Sequence, residues 1–289
     1  MNKIRIIDNL SLDLDIMSAY IKYGNLKRLP YKKRNDGVVN ILGTGPSLKN
    51  SLNTILKDDG IIPNVALNDF ALSALFEQLR PRYYMFLDPA YFINSDSISD
   101  RDSGIRENVF NNIKEITNWE MTLIIPATVA RSGWIEKNIC NPLIDYLPVC
   151  FADLTLVDSN KFYKMLEKNR AAKFQNVLAA AIYVCINLGY DEIRLFGAEH
   201  SWTKDLRVND QNQVCTVYKH FYEEEEILVP WMTSKNTPFT MDSIMNAFYK
   251  VFRAYSLLAK YAEMKSCKVI NYTPDSFIDA FERKVLIKQ

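Results

Sequence analysis

The chain has 289 residues, of which 48% are hydrophobic and 24% charged, so it can bury one large core or two small ones. Its 35 basic and 34 acidic residues give a formal net charge of +1, which provides no overall attraction for nucleic acid. The five cysteines are scattered without a Cys-x-x-Cys pair, which argues against a disulfide framework or a zinc site. No signal peptide and no run of about 20 apolar residues is evident. We therefore expect a cytoplasmic protein with reduced thiols.

Residues 1–36 form a charge-rich lead segment that precedes the predicted domain. It contains a basic cluster, formed by Lys27, Arg28, Lys32, Lys33 and Arg34. One interpretation is a peripheral contact with a bound substrate or with the anionic inner face of a membrane. The other is a solvated linker, which the small number of charges favours.

From Val38 onward, short apolar runs alternate with helical patterns. Strands are predicted over 38–42, 63–67, 83–87, 121–125, 192–197 and 268–271. Helices are predicted over 51–57, 71–78, 177–188 and 241–265. This alternation is typical of a doubly wound α/β fold with a mostly parallel, Rossmann-like sheet. We predict one such domain over 37–289, with a lid at about 201–240, where neither period holds.

A turn rich in glycine follows the first predicted strand. It consists of Gly43, Thr44, Gly45, Pro46 and Ser47. Glycines allow a ligand to approach the backbone, serine can bind phosphate or cap a helix, and the helix N-terminus beyond favours an anion. The spacing matches neither the dinucleotide fingerprint nor a Walker loop. The turn therefore predicts a phosphate site or, alternatively, a simple corner.

Polar residues follow three other predicted strands. Asn68 follows the second strand and Asp88 the third, while Glu199 and His200 follow the strand that ends at Gly197. Because parallel strands end on one edge, these residues are expected to share a site.

The sequence contains only two histidines, His200 and His220. Either could act as a general base near neutral pH, or could have a structural role. Asp88 and Glu199 are further catalytic candidates.

The sequence offers no clear metal site. Its Asp-x-Asp triplets, at 13–15 and 100–102, do not follow apolar strands. We therefore expect a reaction without metal or other cofactor. Phosphate charge would then be stabilised by helix N–H groups and by four side chains: Arg170, Lys173, Tyr218 and Lys219.

Several motifs together resemble a known family. These are GTGPSLK, Asn68, the strand ending at Pro89, LGYDEIRLFGAE at 188–199 and KVINYTPDSFIDAF at 268–281. In this order they resemble the metal-independent bacterial sialyltransferases of glycosyltransferase family 42, which use CMP-activated sugars. This resemblance implies a GT-A-like variant of the Rossmann-like fold. Asn64 to Asn68, Arg80 to Tyr84 and Asp88-Pro89 are also similar to the MptE-like domain, which includes 6-hydroxymethylpterin diphosphokinases and flagellin-glycosylation factors.

The sialyltransferase resemblance implies roles for particular residues. It places the cytidine nucleotide on the glycine turn and Asn68, near the late turn formed by Pro274, Asp275 and Ser276. The family's Thr-Ser-Gly before the alanine-rich helix corresponds to Gln175, Asn176 and Val177. The family's catalytic histidine has no counterpart in the matching segment, 237–240. His220, which lies earlier in the chain, could take its place.

Three hypotheses follow. The first is a glycosyltransferase that uses a nucleotide-activated sugar, such as a sialic or another nonulosonic acid, on a glycan or lipid-linked acceptor. The second is an MptE-like diphosphokinase that uses ATP and Mg²⁺, with Asp88 and Glu199 as ligands. The third is a non-catalytic nucleotide-binding domain on the same fold.

Overall fold

The computed structural model describes residues 2–23, 37–57, 61–92, 100–168, 170–219, 226–232 and 237–284. His220 and the basic cluster lie outside the described residues, and the side chains of Tyr218 and Lys219 are likewise not described.

The described residues form twelve strands, which contribute to two sheets. In chain order they are β1 (Val38–Leu42), β2 (Asn64–Leu67), β3 (Tyr83–Met85), β4 (Met121–Pro126), β5 (Ile144–Ala152), β6 (Arg170–Ala172), β7 (Glu192–Phe196), β8 (Leu206–Val208), β9 (Val214–Lys219), β10 (Glu226–Pro230), β11 (Lys268–Asn271) and β12 (Glu282–Arg283). Nine of them make one sheet in the order β12-β11-β7-β1-β2-β3-β4-β5-β6, and every neighbouring pair is parallel. The predicted parallel α/β sheet is confirmed.

Helices cover both faces of this sheet, as a doubly wound fold requires. They are α1 (Asn2–Tyr23), α2 (Leu48–Lys57), α3 (Leu75–Leu79), α4 (Asp100–Ile116), α5 (Ala127–Ala130), α6 (Trp134–Asn138), α7 (Asn160–Glu167), α8 (Val177–Asn187) and α9 (Met241–Met264). One face packs α2, α3, α4 and α6 over residues such as Leu42, Ala66 and Leu123. The other packs α1, α7, α8 and α9 over residues such as Ile41, Val65 and Ile193.

The lead segment contains a helix that packs against the domain. Leu12 and Ala19 of α1 are buried in the same core cluster as α8 and α9. The Ser11 hydroxyl lies 2.9 Å from that of Thr155, and Asp15 accepts a hydrogen bond from the Thr155 N–H. These contacts fix which face of α1 points away from the sheet.

The segment after β7 has more regular structure than its sequence indicated. Strands β8, β9 and β10 form a small antiparallel sheet, whereas we expected no regular period in the lid at about 201–240. Trp202, Val214, Trp231 and Phe248 join this sheet to α9 in a separate apolar cluster. The three strands have only three, six and five residues, which leaves few positions from which a period of two can be recognised.

Among the helices that the structure describes, none is both long enough and apolar enough to cross a membrane.

Candidate active site

The site lies where the chain changes direction across the sheet. Strand β1 has β2 on one side and β7 on the other, and the chain leaves β1 toward β2 but leaves β7 toward β11. Doubly wound sheets open a crevice at the carboxyl ends of such a pair of strands, and ligands bind there. Here that crevice is formed by the glycine turn after β1 and by the loop that follows β7.

The glycine turn packs directly against the loop after β7. The N–H of Gly43 donates to the Phe196 carbonyl at 2.8 Å, and the N–H of Gly45 donates to the Gly197 carbonyl at 3.0 Å. A Cβ on Gly43 would lie 2.2 Å from the Gly197 oxygen, and one on Gly45 would lie 1.7 Å from Glu199 Oε2. Close packing of the chain on itself therefore accounts for both glycines, where we expected them to admit a ligand.

Glu199 occupies the N-terminus of α2. Its Oε1 accepts a hydrogen bond from the Ser47 N–H at 2.7 Å. Among the described residues, Glu199 Oε2 and Ser47 Oγ are buried without a hydrogen-bond partner. The position at which the sequence predicted a phosphate thus holds the protein's own carboxylate, which the helix dipole favours.

A cavity of about 300 Å³ opens beside this contact. It is lined by residues 43–46 of the glycine turn, by the start of α8 and by Asn68, Gly197, Glu199, His200, Ser201, Trp202 and Asp205. Asn68 is held there in a left-handed conformation (φ 45°), and its carbonyl accepts a hydrogen bond from the Tyr84 hydroxyl. Its side-chain Oδ1 is buried and finds no partner in the described part of the chain. We call this cavity the smaller compartment.

His200 forms one wall of the smaller compartment. Its Nδ1 lies 2.9 Å from the Tyr255 hydroxyl, and its ring centroid lies 4.3 Å from that of Trp202. Burial lowers the pKa of His200 to about 3 and raises the pKa of Tyr255 well above its usual value. Both side chains are therefore neutral at pH 7. The Tyr255 hydroxyl also lies 3.4 Å from Asn176 Oδ1, which links the three side chains.

A second cavity, of about 540 Å³, lies at the carboxyl ends of β2 to β6. We call it the larger compartment. Its walls include the aromatic rings of Phe92, Phe151 and Phe174. Its charged lining residues are Asp88, Asp153 and Lys173, and the Lys173 ammonium lies 3.7 Å from Asp153. Asp88 Oδ1 accepts a hydrogen bond from the Ala90 N–H at 2.9 Å.

The two compartments adjoin each other. Asn68, Asn176 and Val177 line both. Asn176 also caps α8, because its Oδ1 accepts a hydrogen bond from the Leu178 N–H at 2.7 Å. The N-terminus of an 11-residue helix thus lies at the junction.

The structure brings together most of the residues that the sequence indicated. The smaller compartment gathers Gly43, Thr44, Gly45, Pro46, Asn68, Asn176, Gly197, Glu199 and His200, and the larger one adds Asp88, Lys173 and Gln175. Ser47 lines neither cavity, although its N–H holds Glu199.

Arg170 and the turn at 274–276 lie elsewhere. Arg170 is buried beneath α1, where it donates to the Ala19 carbonyl and its guanidinium lies 3.9 Å from the Tyr20 ring centroid. Ser276 donates to the Ala198 carbonyl at 2.6 Å and accepts from Asn271, so its hydroxyl supports the loop after β7. Neither Pro274 nor Asp275 lines either compartment.

Several residues of the site were missed. Tyr255 lies in the middle of α9, and Phe151 and Asp153 lie at the end of β5, which was not predicted. Asp153 follows an apolar run at 149–152, so a polar residue after such a run was a usable signal. Nothing in the local sequence marks Tyr255, because its contact with His200 spans 55 residues.

Within the described ranges, no group of three or more His, Cys, Asp or Glu side chains could hold a metal ion.

Comparison with known proteins gives limited information. No family model matches the chain, and no curated protein matches it. A solved structure, that of the MAf glycosyltransferase from Magnetospirillum magneticum AMB-1, is similar with a TM-score of 0.49 and 13% sequence identity. The similarity covers 94% of this chain but 38% of that one, so the chain spans about two fifths of that protein's length. This similarity assigns neither a family nor an activity.

Proposed function

We propose that this chain is a glycosyltransferase that moves a sugar, such as a nonulosonic acid, from a nucleotide-activated donor to a glycan or lipid-linked acceptor. The observation that carries the proposal is the pair of adjoining compartments that share Asn68, Asn176 and Val177. A transferase must hold two substrates with their reacting atoms at one point, and two compartments with a common wall meet that need.

The donor nucleotide is assigned to the smaller compartment. The unpartnered Oδ1 of Asn68 and the backbone of the glycine turn there suit the hydroxyl and amino donors of a nucleoside. The motifs that resemble those of the sialyltransferases favour a CMP-linked donor.

The leaving phosphate is assigned to the N-terminus of α8. The corresponding position of α2 is disfavoured for phosphate, because the Glu199 carboxylate lies there and would repel another anion. The first turn of α8 offers backbone N–H groups and the positive end of a helix dipole, with Asn176 and Val177 facing both compartments.

The acceptor is assigned to the larger compartment. Hydroxyl groups of a sugar can donate to Asp88 and Asp153, and its C–H faces can pack on Phe151 and Phe174. The charged lining of this compartment consists of two carboxylates and one lysine, so its net charge is negative and disfavours an anionic ligand. The expected acceptor at this position is therefore a neutral sugar or an amino sugar.

His200 is our candidate for the base among the described residues. It lines only the smaller compartment, so the acceptor hydroxyl must reach it across the wall that the two compartments share. If the Tyr255 hydroxyl donates a hydrogen bond to Asn176 Oδ1, it can accept one from the Nδ1–H of His200. In that tautomer Nε2 of His200 carries no proton. The acceptor oxygen then bonds to the anomeric carbon while its proton goes to Nε2. The bond from the anomeric carbon to phosphate breaks, and its electron pair leaves with the phosphate.

The low pKa of His200 makes it a weak base in the empty site. The negative charge of a bound nucleotide would raise that pKa and strengthen the base. His220, outside the described residues, is the competing candidate.

The diphosphokinase hypothesis has less support. It requires Asp88 and Glu199 to act as ligands of magnesium, yet Asp88 lines the larger compartment and Glu199 the smaller one.

The test is a thermal-shift panel of CMP, CDP, UDP, GDP and ATP, each with and without Mg²⁺. It is followed by an assay of nucleotide release from activated sugars, with the His200→Ala and His220→Ala variants. Stabilisation by CMP without Mg²⁺, followed by turnover, supports the proposal. Stabilisation by ATP with Mg²⁺ alone supports a diphosphokinase, and binding without turnover of any donor supports a non-catalytic domain. Unchanged turnover in both histidine variants would eliminate the histidine base.

A further inference from the structure

Helix α1 exposes an apolar stripe on the side away from the sheet, and this stripe has no packing partner among the described residues. It is formed by Ile7, Leu10, Leu14, Met17 and Ile21, which are between 60 and 80% exposed. We call these five residues the α1 seam. Single exposed aliphatic residues are ordinary, but five on one face of one helix form a contiguous patch.

The spacing of the α1 seam is that of a coiled coil. Its residues follow one another at alternating intervals of three and four, so 7, 14 and 21 take heptad position a, and 10 and 17 take position d. The buried Leu12 and Ala19 both fall at position f, opposite the seam. One face of α1 is thus packed on the domain, while the other has the pattern of a helix–helix contact.

We propose that the α1 seam pairs with the same seam of a second copy of this chain, as a parallel two-stranded coiled coil. β-Branched residues at a with leucine at d favour two parallel strands. The seam has Ile7 and Ile21 at a with Leu10 at d, while Leu14 at a and Met17 at d depart from this pattern. A two-fold axis along the seam places the two domains on opposite sides, because each domain packs against position f.

The flanking positions allow this self-pairing. In a parallel pair, position g of one helix faces position e of the other, which would set Asp13 opposite Ser18 of its partner. No like charges oppose one another in that pair, and Asp13 already forms an ion pair with Lys161 of its own chain.

The buried area is consistent with a concentration-dependent dimer. At about 60–120 Å² for each aliphatic side chain, the five residues would bury roughly 300–600 Å² on each copy. That is at the low end of specific interfaces, which bury about 800 Å² per partner. A dissociation constant on the order of micromolar is expected.

A membrane surface is the less favoured occupant. A seam restricted to positions a and d is narrower than the apolar face of an interfacial helix, and Asp8, Asp13 and Asp15 lie beside it. Lys3, Arg5 and Lys22 of the same helix balance these acids, so α1 has no net positive charge to draw it to an anionic bilayer.

The first test measures mass by light scattering between roughly 1 and 200 µM, the range that brackets a micromolar constant. The wild-type mass is expected to double from 33.4 kDa, while Leu14→Glu/Ile21→Glu is expected to stay monomeric. The control Ile61→Glu also removes a highly exposed aliphatic side chain, from outside α1, and should dimerise like wild type. Far-ultraviolet circular dichroism confirms that each variant is folded.

A second test detects the dimer directly instead of breaking its interface by substitution. In a Cys140→Ser background, which removes the exposed native thiol, Leu10→Cys is expected to form a disulfide-linked dimer on mild oxidation. Asp8→Cys, at position b, should not. A wild-type monomer at 200 µM would overturn the proposal, as would a dimer that survives both glutamates. Seam-dependent binding of a monomer to phosphatidylglycerol vesicles would assign the seam to a membrane instead.

Discussion

The carboxylate of Glu199 accepts a hydrogen bond from the backbone N–H of Ser47 at 2.7 Å, although 152 residues separate them in the chain. This contact joins the loop after β7 to the start of α2. It also places a fixed negative charge where glycine-rich turns commonly bind phosphate. The contact therefore bears both on the stability of the sheet and on where a nucleotide can bind.

We expect Glu199→Ala to lower the free energy of unfolding by about 1–3 kcal/mol, because the Ser47 N–H loses a charged acceptor at a helix N-terminus. Glu199→Gln should cost less, since its amide oxygen can still accept that hydrogen bond. Urea unfolding of both variants measures the difference. An alanine variant as stable as wild type would show that the contact contributes nothing.

Gly45→Ala should destabilise the protein by at least about 2 kcal/mol, because its Cβ would overlap Glu199 Oε2 and approach the Gly197 oxygen to 2.7 Å. The matched control is Gly104→Ala in α4, where an added Cβ meets nothing within 4 Å. That substitution should stabilise by about 0.5–1 kcal/mol, since glycine is unfavourable inside a helix. Equal effects of the two substitutions, measured by denaturant unfolding, would contradict the packing described for the turn.

The buried ring of His200 predicts a loss of stability in acid. The folded state takes up a proton there only near pH 3, whereas the unfolded chain does so near 6.5. Stability therefore falls as the pH is lowered through that window, by about 2 kcal/mol between pH 7 and pH 5. His200→Gln should lose this part of the pH dependence and His220→Gln should keep it, as measured by urea unfolding at both values. A slope unchanged by His200→Gln would mean that the ring titrates normally.

Asn176 offers a test of the proposed phosphate position that leaves the helix cap intact. Asp and Ser cap helices about as well as Asn, so Asn176→Asp and Asn176→Ser should both keep near-native stability. The added charge of Asn176→Asp should weaken nucleotide binding at least about tenfold, whereas Asn176→Ser should weaken it less. Titration calorimetry with the nucleotide from the thermal-shift panel measures both. Equal nucleotide affinities of the two variants would mean that the phosphate binds elsewhere.

The parts of the fold that could be predicted are those with a local signal. Strands β1, β4, β7 and β11 are apolar runs that end at glycine, proline or a polar residue, and their predicted bounds agree with the structure within one residue. Strand β5 was missed because Pro148 interrupts it. The structure tolerates this proline because β6 pairs only with Cys150 to Ala152, so no neighbour on that side needs the missing N–H.

In the candidate site, the features that could be predicted differ clearly from those that could not. The gathering of Asn68, Asp88 and Glu199 at one sheet edge follows from parallel strands, and it could be predicted. The reason for the glycines could not, because the atoms that exclude a Cβ belong to residues more than 150 positions away. The neutrality of His200 likewise depends on burial beside Tyr255, which comes from α9.

The pairing of β1 with β7 has a consequence for biosynthesis. Val38 to Leu42 finds this partner only at Glu192 to Phe196, so the central pair cannot close on the ribosome until about two thirds of the chain has emerged. Contacts of such long sequence separation form slowly. Until they form, the edge of β1 that later meets β7 stays open, and this interval is when the nascent chain most needs protection from aggregation.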